Sequence, residues 1–167
     1  DMVVDEFGSE NLLGGQDGSV SHQARLAEGN KHNCAIIENG EIWCWGNNYH
    51  YQLGGSSVSQ TDGYSTLEAV KADPSGYMEN RTALSISSSY VTNCAVLDNG
   101  SVACWGSNQF SQLGSTTSPP GHSPVFVGVP DGSSAIAVSA GWGHTCGMLD
   151  NYTVGCWGDN YFSQLAS

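Results

Sequence analysis

The sequence predicts an all-β chain of three propeller-like blades, each of four antiparallel strands, and three observations carry that prediction. One unit recurs as Cys34-Ala-Ile-Ile-Glu-Asn-Gly-Glu-Ile-Trp-Cys44-Trp-Gly46, Cys94-Ala-Val-Leu-Asp-Asn-Gly-Ser-Val-Ala-Cys104-Trp-Gly106 and Cys146-Gly-Met-Leu-Asp-Asn-Tyr-Thr-Val-Gly-Cys156-Trp-Gly158, at offsets of 60 and 52 residues. Within each copy, two apolar runs flank a short polar turn, the pattern of a hairpin. The 22 glycines and scattered polar turns favour short strands, and no helical period runs for long.

The middle copy sets the register. Asp98-Asn99-Gly100 closes a hairpin as a three-residue loop whose last residue is left-handed, where glycine costs least. Leu97 then lies opposite Ser101, Val96 opposite Val102, Ala95 opposite Ala103 and Cys94 opposite Cys104. A directly opposed, non-hydrogen-bonded pair brings two β-carbons within disulfide reach. Other connectivities exist on paper, but the same register also pairs Cys34 with Cys44 and Cys146 with Cys156, so three local bridges are expected. Each is worth roughly 2.5–3 kcal/mol by loop entropy. Alternation puts Cys94, Val96, Val102 and Cys104 on one face and Ala95, Leu97, Ala103 and Trp105 on the other. A hairpin apolar on both faces must be covered on both sides.

Along the chain, residues 1–20 form an N-terminal segment read as part of a preceding blade, because Gly8-Ser-Glu-Asn-Leu-Leu-Gly14 echoes the tail of a repeat. Residues 21–55 read as a partial blade 1, with a strand over 22–27 leading into the first hairpin. Residues 56–115 read as blade 2, with Gly55–Thr66 as a surface loop and Leu67–Ala72 and Ala83–Ser87 as its leading strands. Residues 116–167 read as blade 3, with Pro124–Val127 and Ala135–Val138 as its leading strands.

Composition narrows the function. Four Lys and Arg face sixteen Asp and Glu, a formal charge of -12, so the basic footprint of a nucleic-acid partner is missing; solubility is the ordinary reading of the acidity. Six paired cysteines imply an oxidising compartment and an extracellular, secreted or cell-surface location. Their ten-residue spacing is unlike that of zinc ribbons. Three sequons, at Asn80, Asn99 and Asn151, agree with secretion, and two of them fall on hairpin tips, where a glycan projects into solvent. The start at Asp1, without a charged and apolar leader, suits a mature secreted product. No apolar stretch is long enough for membrane insertion.

The pattern His144-Thr-Cys-Gly-Met-Leu-Asp-Asn…Val154-Gly-Cys-Trp-Gly-Asp-Asn-Tyr-Phe-Ser-Gln-Leu165 resembles the regulator-of-chromosome-condensation repeat, with matching Trp-Gly pairs 45–46, 105–106 and 157–158, Asn48, Asn108 and Asn160, and Gln-Leu pairs 52–53, 112–113 and 164–165. The resemblance covers about residues 20–167 and implies a propeller; the cysteine pairs resemble the extracellular branch of that family. Tyr51, Ser111 and Ser163 stand where the family has Gly, Tyr152 replaces the third hairpin's turn glycine, and Ala166 the final Gly of Gln-Leu-Gly. Those loops are expected to take a different path.

No convergent catalytic constellation is visible, so no enzyme activity and no cofactor are expected. His32 and His144 lie two residues before a cysteine, where the middle repeat has Thr92, and read as residues bonding a turn. Asp17, Asp150 and Asp159 make no dense metal loop. Trp45, Trp105 and Trp157 read as inter-blade core. The surface candidates are Tyr49, His50, Tyr51, Phe110, Tyr161 and Phe162, which recur in the loop after Trp-Gly; shielding of the blade edge is the bland alternative. The expected function is a secreted structural or adhesive repeat module that binds copies of itself or another protein, as a filament or surface-appendage subunit. A secreted enzyme inhibitor or lectin-like, glycan-binding protein is the alternative, and nucleotide exchange is opposed by the cysteines and the acidity. Three blades are too few for a ring, so association through the terminal blades is expected.

Overall fold

The computed structural model describes residues 25–55, 66–72, 78, 80–115, 125–127, 129 and 132–166. Its regular elements are eleven β-strands: β1 (Leu26–Glu28), β2 (His32–Ile36), β3 (Ile42–Gly46), β4 (Thr66–Lys71), β5 (Ala83–Ser88), β6 (Thr92–Leu97), β7 (Val102–Gly106), β8 (Val125–Val127), β9 (Ala135–Ala140), β10 (His144–Leu149) and β11 (Val154–Gly158). They form three antiparallel sheets, β1-β2-β3-β4, β5-β6-β7-β8 and β9-β10-β11, here called blades 1, 2 and 3.

The hairpins have the register their sequences dictate. Leu97 N–H donates to the Ser101 carbonyl at 2.9 Å and Gly100 N–H to the Leu97 carbonyl at 2.9 Å, which leaves Asp98, Asn99 and Gly100 as the loop. Gly40 and Gly100 take the left-handed conformation, at φ 80° and 77°. Cys34, Cys94 and Cys146 then face Cys44, Cys104 and Cys156. Each pair of Cα atoms is 4.1 Å apart and bridged.

Strand allegiance differs from the sequence reading. β4, expected to lead blade 2, pairs with β3 in blade 1, and β8, expected to lead blade 3, pairs with β7 in blade 2. Each apolar run that follows a Gln-Leu loop turns back onto the open edge of the hairpin it has just left. The sheets therefore divide in the stretches between residues 71 and 83 and between 127 and 135, not at residues 55 and 115. Blade 3 accordingly has three strands among the described residues, not four. The strand read at 22–27 appears as β1 from Leu26; residues 22–24, like the N-terminal segment, lie outside the described residues.

Blades stack with the disulfide face of one against the tryptophan face of the next. Ile36, Ile42, Leu53 and the Cys34–Cys44 bridge of blade 1 form one core with Ile86, Ala95, Leu97, Ala103 and Trp105 of blade 2. The Cys94–Cys104 bridge, Val96, Val102 and Leu113 of blade 2 form another with Ala135, Val138, Leu149 and Trp157 of blade 3. Every residue of β6 is buried. Trp105 is fully buried, Trp157 and Trp45 partly so. Coverage of both faces holds for blade 2 alone among the described residues, because β11 lies on an exposed face with Val154 63% exposed.

This asymmetry sorts the three bridges. Cys34–Cys44 and Cys94–Cys104 have no exposed surface, whereas Cys146 and Cys156 are partly exposed. A soluble thiol added under native conditions should reduce Cys146–Cys156 first, and the other two only after the blades separate. Timed alkylation with peptide mapping checks the order, and simultaneous loss of all three bridges would contradict it.

Candidate functional site

After the third strand of each blade comes a loop, residues 47–54, 107–114 and 159–166, built by the recurring Asn and Gln. The carboxamide oxygens of Asn48, Asn108 and Asn160 accept the Leu53, Leu113 and Leu165 backbone N–H groups at 3.0, 2.9 and 3.0 Å. Those of Gln52, Gln112 and Gln164 accept the His50, Phe110 and Phe162 N–H groups at 2.7, 2.8 and 2.8 Å. Side chains turned inward thus replace the missing backbone partners of a loop, which is pinned by groups that are themselves largely buried.

The loops do not take different paths, contrary to the expectation from their missing glycines. Tyr51, Ser111 and Ser163 adopt left-handed backbones at φ 62°, 61° and 60°, and Tyr152 does so at the third hairpin, at φ 64°. A non-glycine residue in this region costs about 1–2 kcal/mol, and the surrounding side-chain hydrogen bonds hold it there.

The same loops receive the following blade. The Gln52 carbonyl accepts Asn93 Nδ2 at 2.7 Å and Trp105 Nε1 at 3.1 Å. The Gln112 carbonyl accepts Thr145 Oγ1 at 3.0 Å and Trp157 Nε1 at 2.9 Å. Asn93 Oδ1 in turn accepts Ser88 Oγ at 2.5 Å and His32 Nε2 at 2.8 Å. An amide oxygen can only accept, so Nε2 carries the imidazole proton. His32 therefore bridges blades 1 and 2 and does not serve merely its own turn. Burial holds the His32 imidazole below its ordinary pKa, against the opposing effect of the Asn93 hydrogen bond. On the opposite, hairpin-tip end, Lys71 lies 2.6 Å from Glu41 and holds that exposed carboxyl below its usual range.

Aromatic side chains crowd the loop end of the blades. Tyr49 packs edge-on to His50 at 4.9 Å and Tyr161 to Phe162 at 4.8 Å. Phe110 meets Trp142, from the turn between β9 and β10 of the next blade, with ring centroids 5.2 Å apart. Tyr161 and Phe162 are each 82% exposed and Trp142 is 60% exposed; Tyr49, Phe110 and Tyr90, the last in the β5–β6 turn, are also exposed, while His50 and Tyr51 are half-buried. Strand direction puts all of them on one rim, because turns β5–β6 and β9–β10 lie at the same sheet end as the loops after β7 and β11. Sequence reasoning missed Trp142 and Tyr90; the signal available was a large aromatic at the centre of a tight turn, as in Gly141-Trp142-Gly143. The sequon residues Asn80, Asn99 and Asn151 are exposed, the last two at the tips on the opposite end. Among the described residues no three His, Cys, Asp or Glu side chains stand close enough to hold a metal ion.

Stacked four-stranded blades, each latched to the next through a loop carbonyl and a tryptophan, define a β-propeller repeat protein. The chain belongs to the Regulator of chromosome condensation (RCC1) repeat family, whose pattern matches residues 27–52, 84–112 and 135–164 in one form and 99–148 in another. It is similar to the ultraviolet-B receptor UVR8 of Arabidopsis thaliana, with 28% identity over 140 residues, which are 84% of this chain and 30% of that protein. Among solved structures it is similar to human WBSCR16, with a TM-score of 0.70 and 18% identity over 81% of this chain and 32% of that one. It is likewise similar to Prp20p of Saccharomyces cerevisiae, with a TM-score of 0.67 and 22% identity over 85% and 33%. The chain thus spans about a third of the length of these relatives.

The His32 junction makes stability depend on pH. A folded-state pKa below the unfolded value means that the unfolded chain binds the proton more readily, so the contribution is full above about pH 6.5 and is lost as pH falls through the folded value. Denaturation midpoints should drop between about pH 6.5 and 5, and His32→Thr, which installs the residue of blade 2, should flatten that slope. An unchanged slope in the variant would contradict the assignment.

Proposed function

We propose that this chain is a run of blades from an extracellular protein-binding propeller, and that its recognition surface is the aromatic rim formed by the loops after the third strands and the turns beside them. One observation carries the reading: Tyr49, Phe110, Trp142, Tyr161 and Phe162 are exposed on loops whose backbones are fixed by buried Asn and Gln side chains. Large aromatics on a preorganised backbone lose little entropy on binding and make favoured interface anchors.

Three further observations support it. The three disulfides fit an oxidising, extracellular environment. At the opposite tips the Asn99 and Asn151 carboxamides accept the Ser101 and Thr153 hydroxyls at 2.6 and 2.7 Å, exposed sequons that leave the aromatic rim clear of any glycan. Prp20p, of like fold, has been described for its binding to Gsp1p and histones. In this reading the partner is another protein or a second copy of the chain. Inhibition of a secreted enzyme, or lectin-like binding of a glycan, is the alternative use of the same rim.

Expressed through a secretory pathway, the chain should carry mass that glycosidase removes. Immobilised, it should capture proteins from extracellular fluid that a Phe110→Ala/Trp142→Ala variant of unchanged circular dichroism captures at least about tenfold less well, the scale of two anchor residues. Identical capture by both proteins would sink the rim as the binding surface, and a purely polysaccharide capture would favour the lectin-like alternative.

A further inference from the structure

Blade 1 meets blade 2, and blade 2 meets blade 3, through two contacts that each depend on a glycine. At the hairpin tips, the Gly40 and Gly100 carbonyls accept the Ala83 and Ala135 N–H groups of the next blade at 3.0 and 2.8 Å. A β-carbon on Gly40 would stand 2.2 Å from Thr82 Cγ2 and 3.1 Å from Thr82 Cα; on Gly100 it would stand 2.4 Å from Ser134 Cβ and 2.9 Å from Ser134 Cα. In the loops, a β-carbon on Gly54 would stand 2.8 Å from Trp105 Cδ1, and on Gly114 2.9 Å from Trp157 Nε1. Non-bonded carbons rest at about 3.5–4.0 Å, so all four sites have room for hydrogen only.

Blade 3 breaks both contacts. Tyr152 occupies the position of Gly40 and Gly100, and Ala166 that of Gly54 and Gly114. Both keep the glycine backbone, at φ 64° and 57°, so their β-carbons point where the glycines leave space for the incoming blade. Tyr152 is 79% exposed. The substitutions at Tyr51, Ser111 and Ser163 are of another kind, because the side chains that meet the next blade's tryptophan contact belong to the glycine three residues further on.

We infer that Tyr152 and Ala166 exclude a further blade of this stacking geometry from the outer face of blade 3. What covers that face must lack the third-strand tryptophan and carry no side chain at the position of Thr82 and Ser134. Head-to-tail stacking of copies in the repeat geometry is excluded on the same ground, since it would set Trp45 against Ala166.

The test extends the full chain at its C-terminus with a second copy of residues 116–167, which continues the repeat in register after Ser167. One version keeps Tyr152 and Ala166, and the other carries Tyr152→Gly and Ala166→Gly. The readout is the rate at which a soluble thiol reduces Cys146–Cys156, and slow reduction of Cys34–Cys44 and Cys94–Cys104 reports in each protein that the first blades have folded. With Tyr152 and Ala166 present the rate should stay within about twofold of that in the unextended chain, and in the glycine version it should fall at least about tenfold, as a covering blade makes access depend on local opening. Tenfold protection in the version that keeps both residues, or none in the glycine version, overturns the inference.

Discussion

One backbone carbonyl per blade junction holds the molecule together. That of Gln52, like that of Gln112, uses both lone pairs on the next blade, one for a tryptophan N–H and one for the side chain of Asn93 or Thr145. The junction is buried, so each of these hydrogen bonds would leave an unsatisfied group if broken, at a cost of about 1–3 kcal/mol apiece. Around it the tryptophan supplies apolar contact, and the disulfide of the preceding blade forms the floor on which that contact rests.

The loop that bears this carbonyl also presents the aromatic rim, so stacking and recognition share one piece of backbone. Gln52 and Gln112 turn their side chains inward to fix the loop and their carbonyls sideways to the next blade, which leaves the residues before them pointing to solvent. The rim inherits its rigidity from the junction. Phe110 shows the coupling directly, because it belongs to blade 2 and its ring partner Trp142 belongs to blade 3.

Much of this was legible in the sequence because it is local. A hairpin with a short fixed loop sets its own register, and the register sets the cysteine pairs, so residues ten apart were enough to read the bridges. The tryptophans were recognisable as core from their fixed place after each second cysteine. The allegiance of β4 and β8 was not legible, since an apolar run does not record which of two neighbouring edges it will join. His32 read as a turn residue because its partner, Asn93, lies 61 positions away on another blade. Trp142 and Tyr90 escaped because the repeat carries Asn30 at the corresponding turn of blade 1, so no aromatic pattern recurs there. The left-handed Tyr51, Ser111, Ser163 and Tyr152 show that tertiary hydrogen bonds override local preference.

Replacement of Trp105 by alanine tests the junction most directly, because that side chain is fully buried between blades 1 and 2 and donates to the Gln52 carbonyl. Chemical denaturation followed by hydrogen exchange should show Trp105→Ala losing about 3–5 kcal/mol, with the amides of β2–β3 and β6–β7 no longer opening together. A loss below about 1 kcal/mol, with exchange in the two hairpins still coupled, would contradict a fold held by its blade junctions.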